Sequence, residues 1–321
     1  VIVEANLLRF RYQIPARKRP GNGAAAVGQS EVLALNELSF QIESPGLVAL
    51  LGPNGSGKST LFRILTTLVA PGSGQAKVLG FDTVREAARV REHIGVVFQE
   101  SSLDRKLTVR ENLRYQGNLF GLGGATLAER LSEAAGRLAL EDYLDAPVHT
   151  LSGGLRRRAE IAKAMLHRPR LLLLDEPSTG LDPHARRDLW VYLRQLHEEQ
   201  GTAVVAATHY LEEADRCHRT LILHEGRLVA DGEPATLKRQ VGADVLVVVS
   251  DEVEAIQASL GRRSGMECSA IDGTLRVETR ESAELVAELM AGHASRIREL
   301  RMHPPTLEDV YFHATGKEFQ G

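Results

Sequence analysis

Gly52-Pro53-Asn54-Gly55-Ser56-Gly57-Lys58-Ser59-Thr60 meets every constrained position of the pattern G-x-x-x-x-G-K-[ST], and its flanks decide the fold. The apolar run Leu47–Leu51 before it reads as a strand, and Leu61 to Val69 after it reads as a helix stopped by Pro71-Gly72. Strand, loop and helix in that order are the context this pattern requires. The glycines let backbone N–H groups curl into a nest around phosphate oxygens, and the helix N-terminus adds partial positive charge. Lys58 would reach the phosphates as a point charge, and Ser59 would offer its hydroxyl to Mg²⁺. The expected ligand is a nucleoside triphosphate, and the expected class is α/β.

Two later runs, Leu171–Leu174 and Ala203–Ala207, have no polar alternation, which suits parallel strands covered on both faces. The first ends in Asp175-Glu176 and the second in Thr208-His209. Ligands of open α/β sheets sit at the carboxyl ends of strands, so these side chains point toward the phosphate loop. Asp175 is the candidate for holding Mg²⁺ opposite Ser59. Glu176 is the candidate general base, a role worth about 10²–10⁴-fold in rate. Adjacent acids at a strand end are otherwise simply solvated; the loop upstream decides between the two readings. Ser152-Gly153-Gly154 lies 92 residues after Thr60 and 23 before Asp175, just ahead of a helical run from Leu155 to His167. A helix start of small residues can bind an anion, because its first N–H groups lack internal partners. Alone, it reads more readily as an ordinary cap.

The chain has 321 residues, 43% hydrophobic and 25% charged, a net charge of −3 and a pI near 6.5. That is an ordinary globular composition with no basic excess for nucleic acid. Residues 241–321 carry 8 Lys and Arg against 14 Asp and Glu, whereas residues 1–240 carry 31 against 28. Two domains are expected, 1–240 and 241–321. In the second, Val245–Ser250, Met266–Ile271, Leu275–Thr279 and Ile297–Met302 read as strands, and Val253–Leu260 and Ser282–Ala291 as helices. The order β-α-β-β-α-β is ferredoxin-like, and Thr306 is placed to cap a last helix. In the first domain, residues 2–12 and 38–51 read as strands flanking a Gly-, Ala- and Pro-rich insertion at 15–29. Cys217 and Cys268 have no metal or redox spacing and read as free thiols. No run approaches the ~20 apolar residues of a membrane span. Any work at a membrane is expected through docking on another chain.

Taken together, these motifs resemble the ATP-binding-cassette (ABC) ATPases over nearly all of residues 1–240. Gly52–Thr60 is similar to Walker A, Gln99 to the Q-loop glutamine, and Leu151-Ser152-Gly153-Gly154-Leu155 to the signature. Leu171–Pro177 resembles Walker B with its glutamate, Ser178–Asp182 the D-loop, and His209 the switch histidine. The resemblance implies a cassette of mixed sheet core, antiparallel β subdomain and helical subdomain. It implies a head-to-tail dimer of two copies, with ATP and Mg²⁺ between Walker A of one copy and Ser152, Gly153 and Gly154 of the other. His209 would contact the γ-phosphate, and Gln99 would sense Mg²⁺ and water. Tyr12 is the candidate to stack on adenine, with Phe10 as its rival. Leu155 departs from the signature glutamine. The run Leu155-Arg156-Arg157-Arg158 and the ending Pro304–Tyr311 resemble the daunorubicin-resistance-type exporter ATPases. The expected role is therefore the ATPase subunit of an exporter at the cytoplasmic face of the membrane, docked on a separate permease. An importer ATPase and a soluble ABC protein of repair or translation are the alternatives.

Overall fold

The computed structural model describes residues 1–15, 29–242, 244–260, 267–271, 273–279 and 282–320. The insertion at 15–29 falls, apart from its two ends, outside the described residues. The chain forms two compact units, Val1–Leu228 and Val229–Gln320.

The first unit opens with β1 (Val3–Pro15) and β2 (Gln29–Ile42), an antiparallel pair whose register shifts three times. They are followed by β3 (Leu47–Leu51) and α1 (Lys58–Leu65), then β4 (Ser73–Val78) and β5 (Phe81–Asp82). The antiparallel sheet runs β2-β1-β4-β5. The single strand expected at 38–51 is thus two strands in different sheets, parted at Glu43–Gly46. The helix after the phosphate motif begins at Lys58 within it and stops at Leu65, where Thr66 caps it and Thr67 turns left-handed at φ 65°.

Next come α2 (Ala87–His93), β6 (Ile94–Val97), α3 (Val109–Leu119), α4 (Gly124–Arg137) and α5 (Gly153–Met165). Thr108 and Glu111 form a reciprocal capping box that starts α3. β7 (Leu171–Asp175), α6 (Pro183–Gln200), β8 (Ala203–Thr208), α7 (Leu211–Ala214) and β9 (Arg219–His224) follow. Strands β9-β3-β8-β7-β6 lie side by side in parallel. All residues of β3, β7 and β8 are buried, as their unbroken apolar runs require. One core joins the two sheets: Phe62, Ile64 and Leu65 of α1 share a buried cluster with Val3, Leu38 and Val78 of the antiparallel sheet and Leu171, Leu173 and Val205 of the parallel one. The helix that follows the phosphate loop is therefore anchored in the core shared by both sheets.

β10 (Arg227–Gly232) contains the break between the units. It is followed by α8 (Pro234–Val241), so the boundary read from the sequence at 240 falls in the last turn of a helix. Pro234, Leu237 and Val241 of α8 are buried, and α8 packs on the last helix of the chain, which explains its place in the second unit. That unit continues with β11 (Asp244–Ser250), α9 (Val253–Leu260), β12 (Glu267–Ile271), β13 (Thr274–Thr279), α10 (Ser282–His293), β14 (Ile297–His303) and α11 (Leu307–Thr315). Its antiparallel sheet runs β12-β13-β11-β14, the ferredoxin-like order, and α9 and α10 cover one face through Ile256, Leu260, Leu285 and Leu289. Thr306 and Asp309 form a capping box that starts α11, and Asp309 is ion-paired with Arg276 of β13.

Candidate functional site

Two of the phosphate loop's three glycines, Gly52 and Gly57, lie too close to neighbouring atoms to carry a side chain. A Cβ at Gly52 would lie 2.5 Å from Ser56 Oγ and 2.6 Å from the Leu223 carbonyl. Gly57 sits at φ 104°, and a Cβ there would lie 2.6 Å from the Ala34 carbonyl. Pro53, Asn54 and Gly55 form the outer rim, with Asn54 and Gly55 exposed. Ser56 and Gly57 are buried, and Ser56 Oγ has no hydrogen-bond partner.

Lys58 is 4% exposed, and its ammonium donates to the carbonyls of Gly52 (2.7 Å) and Pro53 (3.0 Å). The cation is thus folded over the nest that would take phosphate oxygens. Burial holds its pKa below the ordinary lysine value, against the opposing pull of Glu176 and Asp175. Ser59 Oγ lies 3.4 Å from Asp175 Oδ1 across the ends of α1 and β7. Burial pushes the Asp175 carboxyl up, partly offset by the Ser59 hydroxyl. A hydroxyl and a carboxylate side by side are hard oxygen donors of the kind Mg²⁺ takes, with room left for water and phosphate oxygens. The residues present therefore fit the ion. Thr60 Oγ1 is 3.3 Å from the Tyr12 hydroxyl, which also accepts from Arg63 (3.2 Å). Phe10 braces the Tyr12 ring edge-on at 5.0 Å. Tyr12, not Phe10, is tied to the helix that follows the loop.

Glu176 stands one residue past β7 at φ 48°, a left-handed conformation that costs about 1–3 kcal/mol in a non-glycine residue. It is 8% exposed. Its Oε2 accepts from Gln99 Nε2 (3.2 Å) and from the Thr179 hydroxyl (3.1 Å). Its Oε1 lies 3.4 Å from His209 Nδ1, within ion-pair range but without hydrogen-bond alignment. The Glu176 amide donates to the Ala207 carbonyl of β8. Gln99, past the end of β6, His209, past β8, and Glu176 thus converge at the carboxyl ends of three adjacent parallel strands. His209 is braced by the Tyr210 ring at 4.2 Å, and the Arg186 guanidinium lies 3.9 Å over that ring.

Ser152, Gly153 and Gly154 are elsewhere. Ser152 caps α5, accepting from the Leu155 amide at 3.2 Å, and both Ser152 and Gly153 are exposed. Their neighbours are the D-loop and the start of α6: a Cβ on Gly153 would lie 3.6 Å from the Gly180 carbonyl, and one on Gly154 3.3 Å from Ala185. Among the described residues, no hydrogen bond joins 152–154 to 52–60. The chain therefore presents one phosphate cradle with a poised carboxylate, and a separate exposed helix N-terminus where, among the described residues, Ser152 takes the Leu155 amide and the Gly153 and Gly154 amides have no partner.

Two features were missed in reading the sequence. Thr179 bonds the Glu176 carboxylate, and the buried Arg157 reaches the backbone behind it. Arg157 and Glu160 stand three apart on one helix, a spacing that places them side by side and was the available signal.

Comparison with known proteins agrees with this geometry. Residues 35–179 match the family model described as ABC transporter. The chain is 37% identical over 290 residues, 90% of its length and 94% of the relative's, to Nod factor export ATP-binding protein I of Rhizobium sp. (strain N33). It is 36% identical over 324 residues to the protein of the same name from Ralstonia nicotianae (strain ATCC BAA-1114 / GMI1000), covering 97% of this chain and 100% of that one. Among solved structures, it resembles the dimeric, post-hydrolysis ATP-binding cassette MJ0796 bound to ADP and Pi. There the TM-score is 0.63, the identity is 26%, and the match covers 72% of this chain and 98% of that one.

Proposed function

The chain belongs to the ABC transporter ATP-binding family, and from that premise we propose that it is the ATP-hydrolysing subunit of an exporter. The observation that supports this best is the placement of Glu176. A nearly buried carboxylate is held by Gln99 and Thr179 beside His209, at the strand ends that also carry the phosphate loop. The relatives are named as export proteins, which favours an exporter over an importer or a soluble repair factor. The arginine-rich signature drew the resemblance to drug-exporter ATPases, whereas the relatives are named for Nod factor; exporter is the class common to both.

ATP would enter with its triphosphate on the amides of Gly52–Thr60. Lys58 would exchange the carbonyls of Gly52 and Pro53 for the β- and γ-oxygens, a stronger pairing for an ammonium. Tyr12 would face the adenine. Mg²⁺, when bound, would neutralise charge between the β- and γ-phosphates. Ser59 and Asp175 are the groups that would hold it, and Gln99 has its amide oxygen to spare for the same site. Glu176 takes the proton of the attacking water as oxygen bonds to the γ-phosphorus. The bond to the bridging oxygen then breaks, leaving ADP and phosphate. His209 lies on the free side of Glu176, where it can hold the water and the γ-phosphate in line.

The exposed start of α5 fits a second copy. Ser152, Gly153 and Gly154 of one chain would close on the nucleotide of the other, giving two composite sites per homodimer. The dimeric cassette to which the chain is similar supports that assembly. Among the described residues no helix is long and apolar enough to cross a membrane. The membrane path would belong to a separate permease, and this subunit would dock on its cytoplasmic face.

Mixing two dead chains tests the arrangement. Lys58→Ala removes the phosphate cation and Ser152→Arg blocks the partner's nucleotide, so each homodimer should be inactive. Their heterodimer places both lesions in one composite site and leaves the other intact. A 1:1 mixture should regain about a quarter of wild-type ATPase activity, from random pairing of identical subunits. Heterodimers that form and stay inactive would reject the shared site.

A further inference from the structure

Arg157 is 7% exposed, and all five of its N–H donors are used. Nε donates to the Pro177 carbonyl (2.8 Å). Nη1 donates to the Phe98 carbonyl (2.8 Å) and to Glu160 Oε2 (2.7 Å). Nη2 donates to the carbonyls of Glu176 (2.8 Å) and Asp175 (3.4 Å). Four of its five acceptors are therefore backbone oxygens, drawn from two strand ends. Phe98 precedes Gln99; Asp175, Glu176 and Pro177 carry the candidate metal-holding and basic groups. Six residues further along α5, Lys163 donates to the Ser102 carbonyl (2.7 Å) and hydroxyl (3.3 Å). The segment 98–102 is thus held from α5 at both ends, with Gln99 between.

We propose that Arg157 is a positioning residue for hydrolysis: from behind the site it fixes the left-handed backbone of Glu176 and the carbonyl before Gln99, so that the two side chains meet. Three points carry this. The strained φ of Glu176 persists only where its surroundings over-determine it, and the Arg157 bond to its carbonyl joins the Thr179 amide on that oxygen and the Ala207 carbonyl on the Glu176 amide. The bond from Gln99 Nε2 to Glu176 Oε2 joins two segments that share Arg157 as a common anchor. A planar guanidinium can satisfy five acceptors spread over two segments, and a lysine ammonium with three donors cannot. Burying the cation is made tolerable by Glu160, itself 5% exposed. Arg157 touches no substrate; its effect passes through Glu176 and Gln99.

In its kinetic form the inference rests on Glu176 being the base, so the test carries a readout that does not. Arg157→Gln alone strands a buried Glu160 and can fail to fold, so the informative chain is Arg157→Gln/Glu160→Gln, which removes both charges. With folding checked by thermal melting, kcat for ATP hydrolysis should fall about tenfold to a hundredfold, the cost of misplacing a reacting group. KM for ATP should stay within about threefold of wild type. Arg157→Lys should recover part of the rate, because an ammonium reaches some of the carbonyls. In the nucleotide-free protein, the amides of Glu176, Ser178 and Thr179 should exchange hydrogen faster in the double variant than in wild type. A double variant with wild-type kcat and unchanged exchange at Glu176, Ser178 and Thr179 would overturn the proposal. A wild-type chain that does not hydrolyse ATP would instead sink the role of Glu176, and the exchange data would still decide the clamp.

Discussion

Glu176→Gln isolates the chemical step more cleanly than any other substitution in this site. The carboxylate uses one oxygen, Oε2, to accept from Gln99 Nε2 and the Thr179 hydroxyl. A glutamine can put its amide oxygen in that corner and keep both bonds. Its NH₂ then faces His209 Nδ1, whose distance from the present Oε1 is 3.4 Å. The backbone anchors, Ala207 for the amide and Arg157 for the carbonyl, are untouched. Shape, strain and binding surface are conserved, and only the capacity to accept a proton is lost. The rate should therefore fall by the full general-base contribution, about 10²–10⁴-fold, or about 2.7–5.4 kcal/mol of barrier. KM should hold, because the triphosphate is held by Lys58 and the loop amides. Phosphate release at saturating ATP and Mg²⁺ measures the first quantity, and nucleotide titration the second. With hydrolysis blocked, size-exclusion chromatography in ATP and Mg²⁺ should show a persistent dimer. A loss smaller than about tenfold would mean that another group takes the proton, and the reasoning from Glu176 would fail.

Gly57→Ala should cost about 1–3 kcal/mol of stability and weaken ATP binding, because φ 104° and a Cβ 2.6 Å from the Ala34 carbonyl cannot both be relieved; an unchanged melting temperature with normal nucleotide titration would refute this. His167 stacks on Phe120 at 3.7 Å and donates from Nε2 to the Ile94 carbonyl, leaving Nδ1 buried without a partner. Burial holds its pKa below 6.5, so the unfolded chain takes the proton first: stability is present above that value and is lost as pH falls through the lower folded one. The melting temperature should drop from about pH 7 to about pH 5 more steeply in wild type than in His167→Gln, and equal slopes would reject the assignment.

The parts of the site that were legible in the sequence are those whose physics is local. A phosphate nest is made from consecutive amides and can be read from one nonapeptide. Buried parallel strands must be apolar at every position, so Leu171–Leu174 and Ala203–Ala207 announced β7 and β8 and placed Asp175, Glu176 and His209 at their ends. The second unit was readable for a similar reason, because its strands and helices change period at each turn. What was not legible depends on the tertiary arrangement. Arg157 binds carbonyls of Phe98 and Pro177, and a carbonyl leaves no mark in the residue type. The strand expected over 38–51 breaks at Glu43–Gly46, where its two halves join different sheets; the Pro45-Gly46 pair was the available signal, and hydrophobicity alone does not carry it. The expected boundary at 240 falls inside α8 because the charge balance shifts there, while the packing of α8 against α11 decides membership.

Helix α5 then serves two nucleotides on the composite-site reading. Its first residues, Ser152 and Gly153, are exposed and available to a second copy, while Arg157, five residues and about 7.5 Å of helix further on, holds the backbone of Glu176 in its own chain. A hydrogen-bonded helix of thirteen residues does not stretch, so its N-terminus cannot shift without carrying the clamp along. Docking of the signature on the partner's ATP would, on that reading, bias the arrangement of Gln99 and Glu176 in the same chain. Linkage makes the bias reciprocal: whatever ATP in a chain's own cradle does to order Glu176 against Arg157, it does equally to the readiness of Ser152 for the other site. On that reading the two sites would be coupled through residues carried by a single helix, Ser152 at its N-cap and Arg157 five residues on.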